Sequence, residues 1–185
     1  MRLGRKGASA TAIGFLMGVP FLLSACGGSP SANAQSATTS TAKSTTTTTL
    51  SATDTAVLNA YRAGWAAYTH ALKTANAFDP SLPATMAQPL LQKVEAQLLG
   101  DQHAGDIGTG SIQLHPKVSS LTATTATVVD CAYSSSEYVY VKTGKLVPPI
   151  TKPQNVGVKA TMELAGGTWK VAQQSVTEGK CSGGS

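Results

Sequence analysis

Asp130 lies in an otherwise apolar run, Val-Val-Asp-Cys-Ala over residues 128–132. A carboxylate drawn into a low-dielectric interior becomes a stronger base, because burial disfavours its charged form. Asp130 is therefore the first candidate for acid–base chemistry. A plainer role weighs more: it points to the opposite strand face from Val129 and Cys131, which suits a strand-end hydrogen bond or a solvated acid. Tyr61, Trp65 and Tyr68 could line a pocket, yet aromatics at helical spacing usually belong to the core. His70 and His115 fall on solvent faces and His103 in a Gly/Asp loop. None has a recognisable Asp or Ser partner, so a hydrolase triad lacks support. Glu163 and Lys159 share one strand face and read as a solvent-facing pair. There is no phosphate loop, EF-hand or zinc motif, so no cofactor and no metal are expected.

The N-terminal residues carry an address. Arg2, Arg5 and Lys6 precede a mostly apolar or small stretch, Ala10 to Leu23, interrupted by Gly14, Gly18 and Pro20. It is too short to span a bilayer and reads as the core of a secretory signal. Leu23-Ser24-Ala25-Cys26 resembles the lipobox of bacterial lipoproteins, which implies removal of residues 1–25 and acylation of Cys26. The alternative is an ordinary cleaved signal with an incidental cysteine. The formal charge is +5; removal of the leader leaves +2, without any basic patch interleaved with aromatics. Nucleic acid is not an expected partner. The expected location is the extracytoplasmic side of the cell membrane.

Residues 27–53 are mostly Ser, Thr, Ala and Gly, with Pro30 and one charge, Lys43. Such a segment has too little apolar surface to offset its ordering entropy. With the lipidated cysteine, residues 26–53 are expected to be a disordered stalk with a reach of about 28 Å. Its hydroxyls are open to O-glycosylation. Residues 54–181 then form one domain, followed by a flexible tail at 182–185.

Helical signals come first in that domain. Asp54 suits a helix N-terminus. Val57, Tyr61, Trp65, Tyr68 and Leu72 recur on one helical face. A second helix is expected from about Ala84 to Leu99, striped by Met86, Leu90, Val94 and Leu98 and stopped at Gly100. The period then changes to two. Strands are expected at Ile112 to Val118, Thr124 to Tyr133, Tyr138 to Val141 and Val156 to Leu164. Gly166-Gly167 turns into a last strand starting at Trp169. Two helices followed by four or five antiparallel strands make an α+β fold.

Tyr61-x-x-x-Trp65-x-x-Tyr68, Val128-Val129-Asp130-Cys131, Thr143-Gly144-Lys145, Gly167-x-Trp169-Lys170-Val171 and the late Cys181 occur in this order. In this the chain resembles a group of small actinobacterial secreted proteins and lipoproteins with a nuclear transport factor 2-like, or cystatin-like, domain. The resemblance covers most of 54–181. It implies N-terminal helices packed on a curved antiparallel sheet of four to five strands, the cone. Some proteins of this fold are isomerases or dehydratases that use an Asp or His base with a Tyr or Asp donor. The group resembled implies no particular activity.

With Cys26 taken by lipid, Cys131 and Cys181 are an even pair in an oxidising compartment and read as one disulfide. The alternatives are a redox-active pair, which lacks the Cys-x-x-Cys spacing, and zinc, which lacks clustered histidines. Three classes of function stay open. The first is a lipid-anchored, non-catalytic envelope module that binds a small apolar ligand or another envelope protein. The second is an isomerase- or dehydratase-like enzyme with an acid in its pocket. The third is a structural or assembly subunit, dimerising through an open sheet face.

Overall fold

The computed structural model describes residues 51–179 and 181. The expected signal, the expected lipidation at Cys26, the expected stalk up to residue 50, Lys180 and the tail 182–185 lie outside the described residues.

Helix α1 (Ala52–Leu72) is capped by Ser51, with Asp54 in its first turn. The Ser51 hydroxyl accepts from the Asp54 N–H at 3.0 Å, and the Asp54 carboxylate accepts from the Ser51 N–H at 3.2 Å. This reciprocal pair satisfies two backbone donors that a helix start leaves open. Val57, Tyr61, Trp65, Tyr68 and Leu72 are all buried, as their spacing requires.

The expected second helix is two helices. Helix α2 (Ser81–Thr85) ends before an extended Met86, and helix α3 (Leu90–Ala104) begins after Pro89. Pro89 lacks a backbone donor and disfavours a helical residue before it, so one continuous helix is excluded there. Met86 bridges Val171 instead, and the Ala87 N–H donates to the Val171 carbonyl at 2.9 Å. Helix α3 runs through Gly100 and stops at Gly105, whose φ of 73° is the left-handed cap conformation. His103 is accordingly in the last helical turn, not in a loop.

Among the described residues seven strands follow: β1 (Asp106–Thr109), β2 (Ile112–Gln113), β3 (Lys117–Leu121), β4 (Thr125–Ser134), β5 (Glu137–Tyr140), β6 (Gln154–Ala165) and β7 (Thr168–Glu178). The main sheet is antiparallel, in the order β2-β4-β6-β7, with β3 also paired to β4. The strand expected at 112–118 is thus two strands, interrupted at 114–116. Pro116 has no N–H to give the ladder, which accounts for the break. The register nonetheless continues across it, with Gln113 opposite Tyr133 and Lys117 opposite Val129. Strand β5 pairs not with the main sheet but with β1, which was not expected from the sequence.

One face of the sheet carries Ala126, Val128, Ala132, Val156, Val158, Ala160, Met162 and Val171, and packs against the helical stripes in one core. At Gly64, α1 packs tightly on β7: a Cβ there would lie 2.7 Å from Val171 Cγ2. The outer face is mostly polar, with Thr127, Lys159, Thr161, Gln173, Ser175 and Thr177; Val129 and Tyr133 are its part-exposed apolar members. The architecture is the α+β arrangement of helices on an antiparallel sheet that the sequence implied. No helix among the described residues is long and apolar enough to cross a membrane.

Candidate functional site

Asp130 is buried, not solvated, and it lies mid-strand. Strand alternation puts it on the inner face with Val128 and Ala132. One carboxylate oxygen accepts from the Tyr61 hydroxyl at 3.0 Å, and the other accepts from the His115 backbone N–H at 2.8 Å. Both partners follow from local structure. Tyr61 sits at 0% exposure on the stripe of α1. The His115 N–H falls in the β2–β3 interruption, where it has left the ladder. A buried carboxylate without such donors would be costly. Burial first, and then the Asp130 carboxylate, push the Tyr61 hydroxyl well above the usual phenol range. It therefore stays protonated and donates.

Trp65 and Tyr68 meet edge to face, with centroids 6.0 Å apart. With Gly64, Met86, Leu90, Val94, Val171 and Gln174 they line a cavity of about 10 Å³ between the helices and β7. That is room for about one water molecule. Neither Asp130 nor Tyr61 is part of this wall. Gln174 Nε2, on it, is a buried donor without a hydrogen-bond partner among the described residues; Trp65 Nε1 lies near enough to the Tyr61 hydroxyl to offset part of its upward shift. The three residues expected as pocket lining thus divide: Trp65 and Tyr68 line the cavity, and Tyr61 serves Asp130.

A second, part-buried polar cluster lies between α1, α3 and β5. Gln97 Nε2 donates to the Tyr68 hydroxyl at 2.7 Å and to the Tyr138 hydroxyl at 2.9 Å. Asp101 and Asp106 are 2% and 1% exposed. Burial, above all, raises the Tyr68 and Tyr138 hydroxyls above their usual range, and the nearby Asp101 charge adds to this. This cluster was missed because the helix was expected to stop at Gly100. Val94, Leu98 and Asp101 continue one helical face, and the spacing would have found Asp101 had the helix been extended.

His70 has an acid partner after all. Its Nδ1 lies 2.8 Å from Asp79, whose other oxygen accepts from the Ser81 N–H at 2.9 Å and from the Ser81 hydroxyl. The serine hydroxyl bonds the carboxylate and not the imidazole, so no nucleophile is activated; the group closes the turn into α2. The Ser81 hydrogen bonds, with His70 beside them, hold the Asp79 carboxyl below the usual carboxylate range. His115 Nδ1 is 3.2 Å from the Cys131 carbonyl, and His103, Lys159 and Glu163 are exposed. Cys131 and Cys181 are joined, with Cα atoms 5.7 Å apart. No three His, Cys, Asp or Glu residues gather as a metal set among the described residues.

No family model and no curated protein matches the sequence. Solved structures do match. The intermembrane space region of the chloroplast protein ARC6 aligns with a TM-score of 0.55 at 13% identity, over 68% of this chain and 96% of that one. A proposed aromatic ring hydroxylase from Novosphingobium aromaticivorans aligns at 0.50 and 13%, over 72% and 94%. A protein of unknown function with a cystatin-like fold from Nostoc punctiforme aligns at 0.42 and 12%, over 71% and 95%. The likeness fixes the fold alone. These neighbours differ in what they are called, and fold by itself does not carry an activity.

Proposed function

We propose that this chain is a lipid-anchored protein of the cell envelope, on the extracytoplasmic side, whose α+β domain is a non-catalytic binding module. The anchor rests on the Leu23-Ser24-Ala25-Cys26 pattern. The non-catalytic reading rests on one observation: Asp130 is buried and held by two internal donors, and the nearby cavity neither includes it nor exceeds about one water in size. A general base must lie within reach of a substrate proton. The part-exposed Val129 and Tyr133 and the mostly polar sheet around them suit a protein contact of modest affinity better than an obligate dimer face.

A small-ligand form of the same reading is favoured by the unpartnered Gln174 donor on the cavity wall. An apolar molecule with one carbonyl-type acceptor would satisfy Gln174 Nε2 once the helices part slightly. Intact mass spectrometry of the membrane-extracted native protein tests the address and this ligand together. The expected result is a chain that begins at acylated Cys26, with Cys131 and Cys181 alkylated only after reduction. An unacylated chain cut elsewhere would remove the anchor. A small molecule of constant mass released on denaturation would establish the ligand. Cys26→Ala should leave the membrane fraction; its retention there would count against acylation.

A further inference from the structure

The chain between β5 and β6 takes no part in the clusters above. It leaves β5 as a hairpin: the Tyr140 N–H donates to the Lys145 carbonyl at 2.9 Å, and the Val147 N–H donates to the Tyr138 carbonyl at 2.8 Å. The Gly144 N–H closes the turn on the Tyr140 carbonyl, also at 2.8 Å. Val147 is buried beneath it. On this fixed base the side chains point outward against their chemistry. Val141 and Ile150 are each 60% exposed and Tyr140 is 39% exposed. Lys142, Lys145 and Lys152 are exposed among them, and residues 138–153 contain no acid. Residues 54–181 hold ten Lys or Arg against nine Asp or Glu. The positive surplus of the domain is therefore concentrated in this one segment, and the remainder is acidic on balance.

We propose that residues 140–152 are a membrane-surface contact, in which Val141 and Ile150 enter the headgroup region of an anionic bilayer and the three lysines face lipid phosphates. Exposed aliphatic side chains interspersed along the chain with lysines and no acid are the composition that binds such an interface. The hairpin hydrogen bonds hold residues 138–147 of this stretch in shape before contact, which lowers the entropy lost on binding there. The inference rests on the proposed acylation of Cys26, which would keep the domain next to the bilayer at high effective concentration. The geometry permits it. Helix α1 is about 31 Å long, and its far end, at Leu72, packs by Gly108 of β1, the partner of β5. The stretch from Cys26 to Ser51 can extend to about 80 Å, enough for that end to reach the bilayer.

The test uses the full mature chain with Cys26→Ser, so that no acyl group contributes, and sedimentation with vesicles of phosphatidylglycerol and phosphatidylcholine. Binding to the anionic vesicles is expected, weakening as salt is raised. K142Q/K145Q/K152Q should weaken it about a hundredfold, and V141S/I150S about tenfold. Circular dichroism should be unchanged for both variants, since every substituted side chain is exposed. Equal binding to pure phosphatidylcholine, or indifference to both sets of substitutions, would overturn the proposal. So would no vesicle binding together with lysine-dependent retention on polyglutamate, which would point to an acidic protein partner. Failure of the anchor reading is seen separately, as an unacylated mass for the wild-type chain, and does not alter the vesicle result.

Discussion

At the scale of single residues, the pair Tyr61–Asp130 makes structural and catalytic roles separable. Tyr61→Phe removes one donor from a buried carboxylate and should cost about 1 to 3 kcal/mol in urea unfolding, the range for hydrogen bonds to charged groups. Asp130→Ala strands the Tyr61 hydroxyl and the His115 N–H together and should cost about 2 to 4 kcal/mol. The double variant should lose less than the two single losses added, because the groups share one interaction. Additive losses would mean that the 3.0 Å contact contributes nothing. The Asp79 group predicts a pH dependence. Its carboxyl is held below the ordinary value, so its contribution is present above the unfolded carboxylate pKa of about 3.9 and fades as pH falls through the lower folded value. Asp79→Asn should therefore be less stable than wild type at pH 6 and should converge with it in strong acid. A gap that persists at the lowest pH would assign the effect to the turn geometry alone. The sequence placed Asp130 correctly opposite Val129 and Cys131 but did not show which face was inside. That depended on Tyr61, sixty-nine residues away, and on a donor released by a broken ladder.

At the scale of elements, the periodicities at Val57–Leu72 and Val156–Leu164 were legible because each has one buried and one wet face. The interruptions were less so. A lone Gly100 looks like a helix stop, but the stop needs a left-handed residue, and Gly105 supplies it. The short strand β1 has too few residues to show a period, so its two-stranded sheet with β5 was invisible. Two glycines now test the helix boundaries in opposite directions. Gly100 is exposed inside α3, and a Cβ there meets nothing within 4 Å. Gly100→Ala should stabilise by about 0.5 to 1 kcal/mol, since glycine loses more backbone entropy in a helix. Gly64→Ala makes the same propensity gain in α1 but drives a methyl to 2.7 Å from Val171. Overpacking of this kind costs about 1 to 3 kcal/mol, so a net loss is expected. Thermal melts of both variants decide it. A destabilised Gly100→Ala would return the end of the helix to Gly100.

At the scale of the whole molecule, the pairing of Cys131 with Cys181 fastens the end of the chain across the sheet rather than along it. Strand β7 is paired on one side by β6, and Cys131 lies on β4, beyond β6. The tail must therefore cross β6. It does so at Gly157, the register partner of Cys131, where a Cβ would sit 4.0 Å from that of Cys181. The Gly179 N–H donates to the Asn155 carbonyl at 3.0 Å and starts the crossing. A link across 50 residues removes much unfolded-chain freedom and should contribute about 4 kcal/mol. Cys131→Ala/Cys181→Ala should lower stability by about that amount, and reduction of the wild type should lower it equally, because both leave the same open chain. The distribution of the loss is as telling as its size. Hydrogen exchange at Val176 to Glu178 should quicken well beyond that in the middle of α1, since the end of β7 loses its fastening while the helix keeps its packing. If the double variant matched the oxidised wild type in stability and exchange, the bond would not be a staple. The pair would then have to be read through its redox chemistry instead.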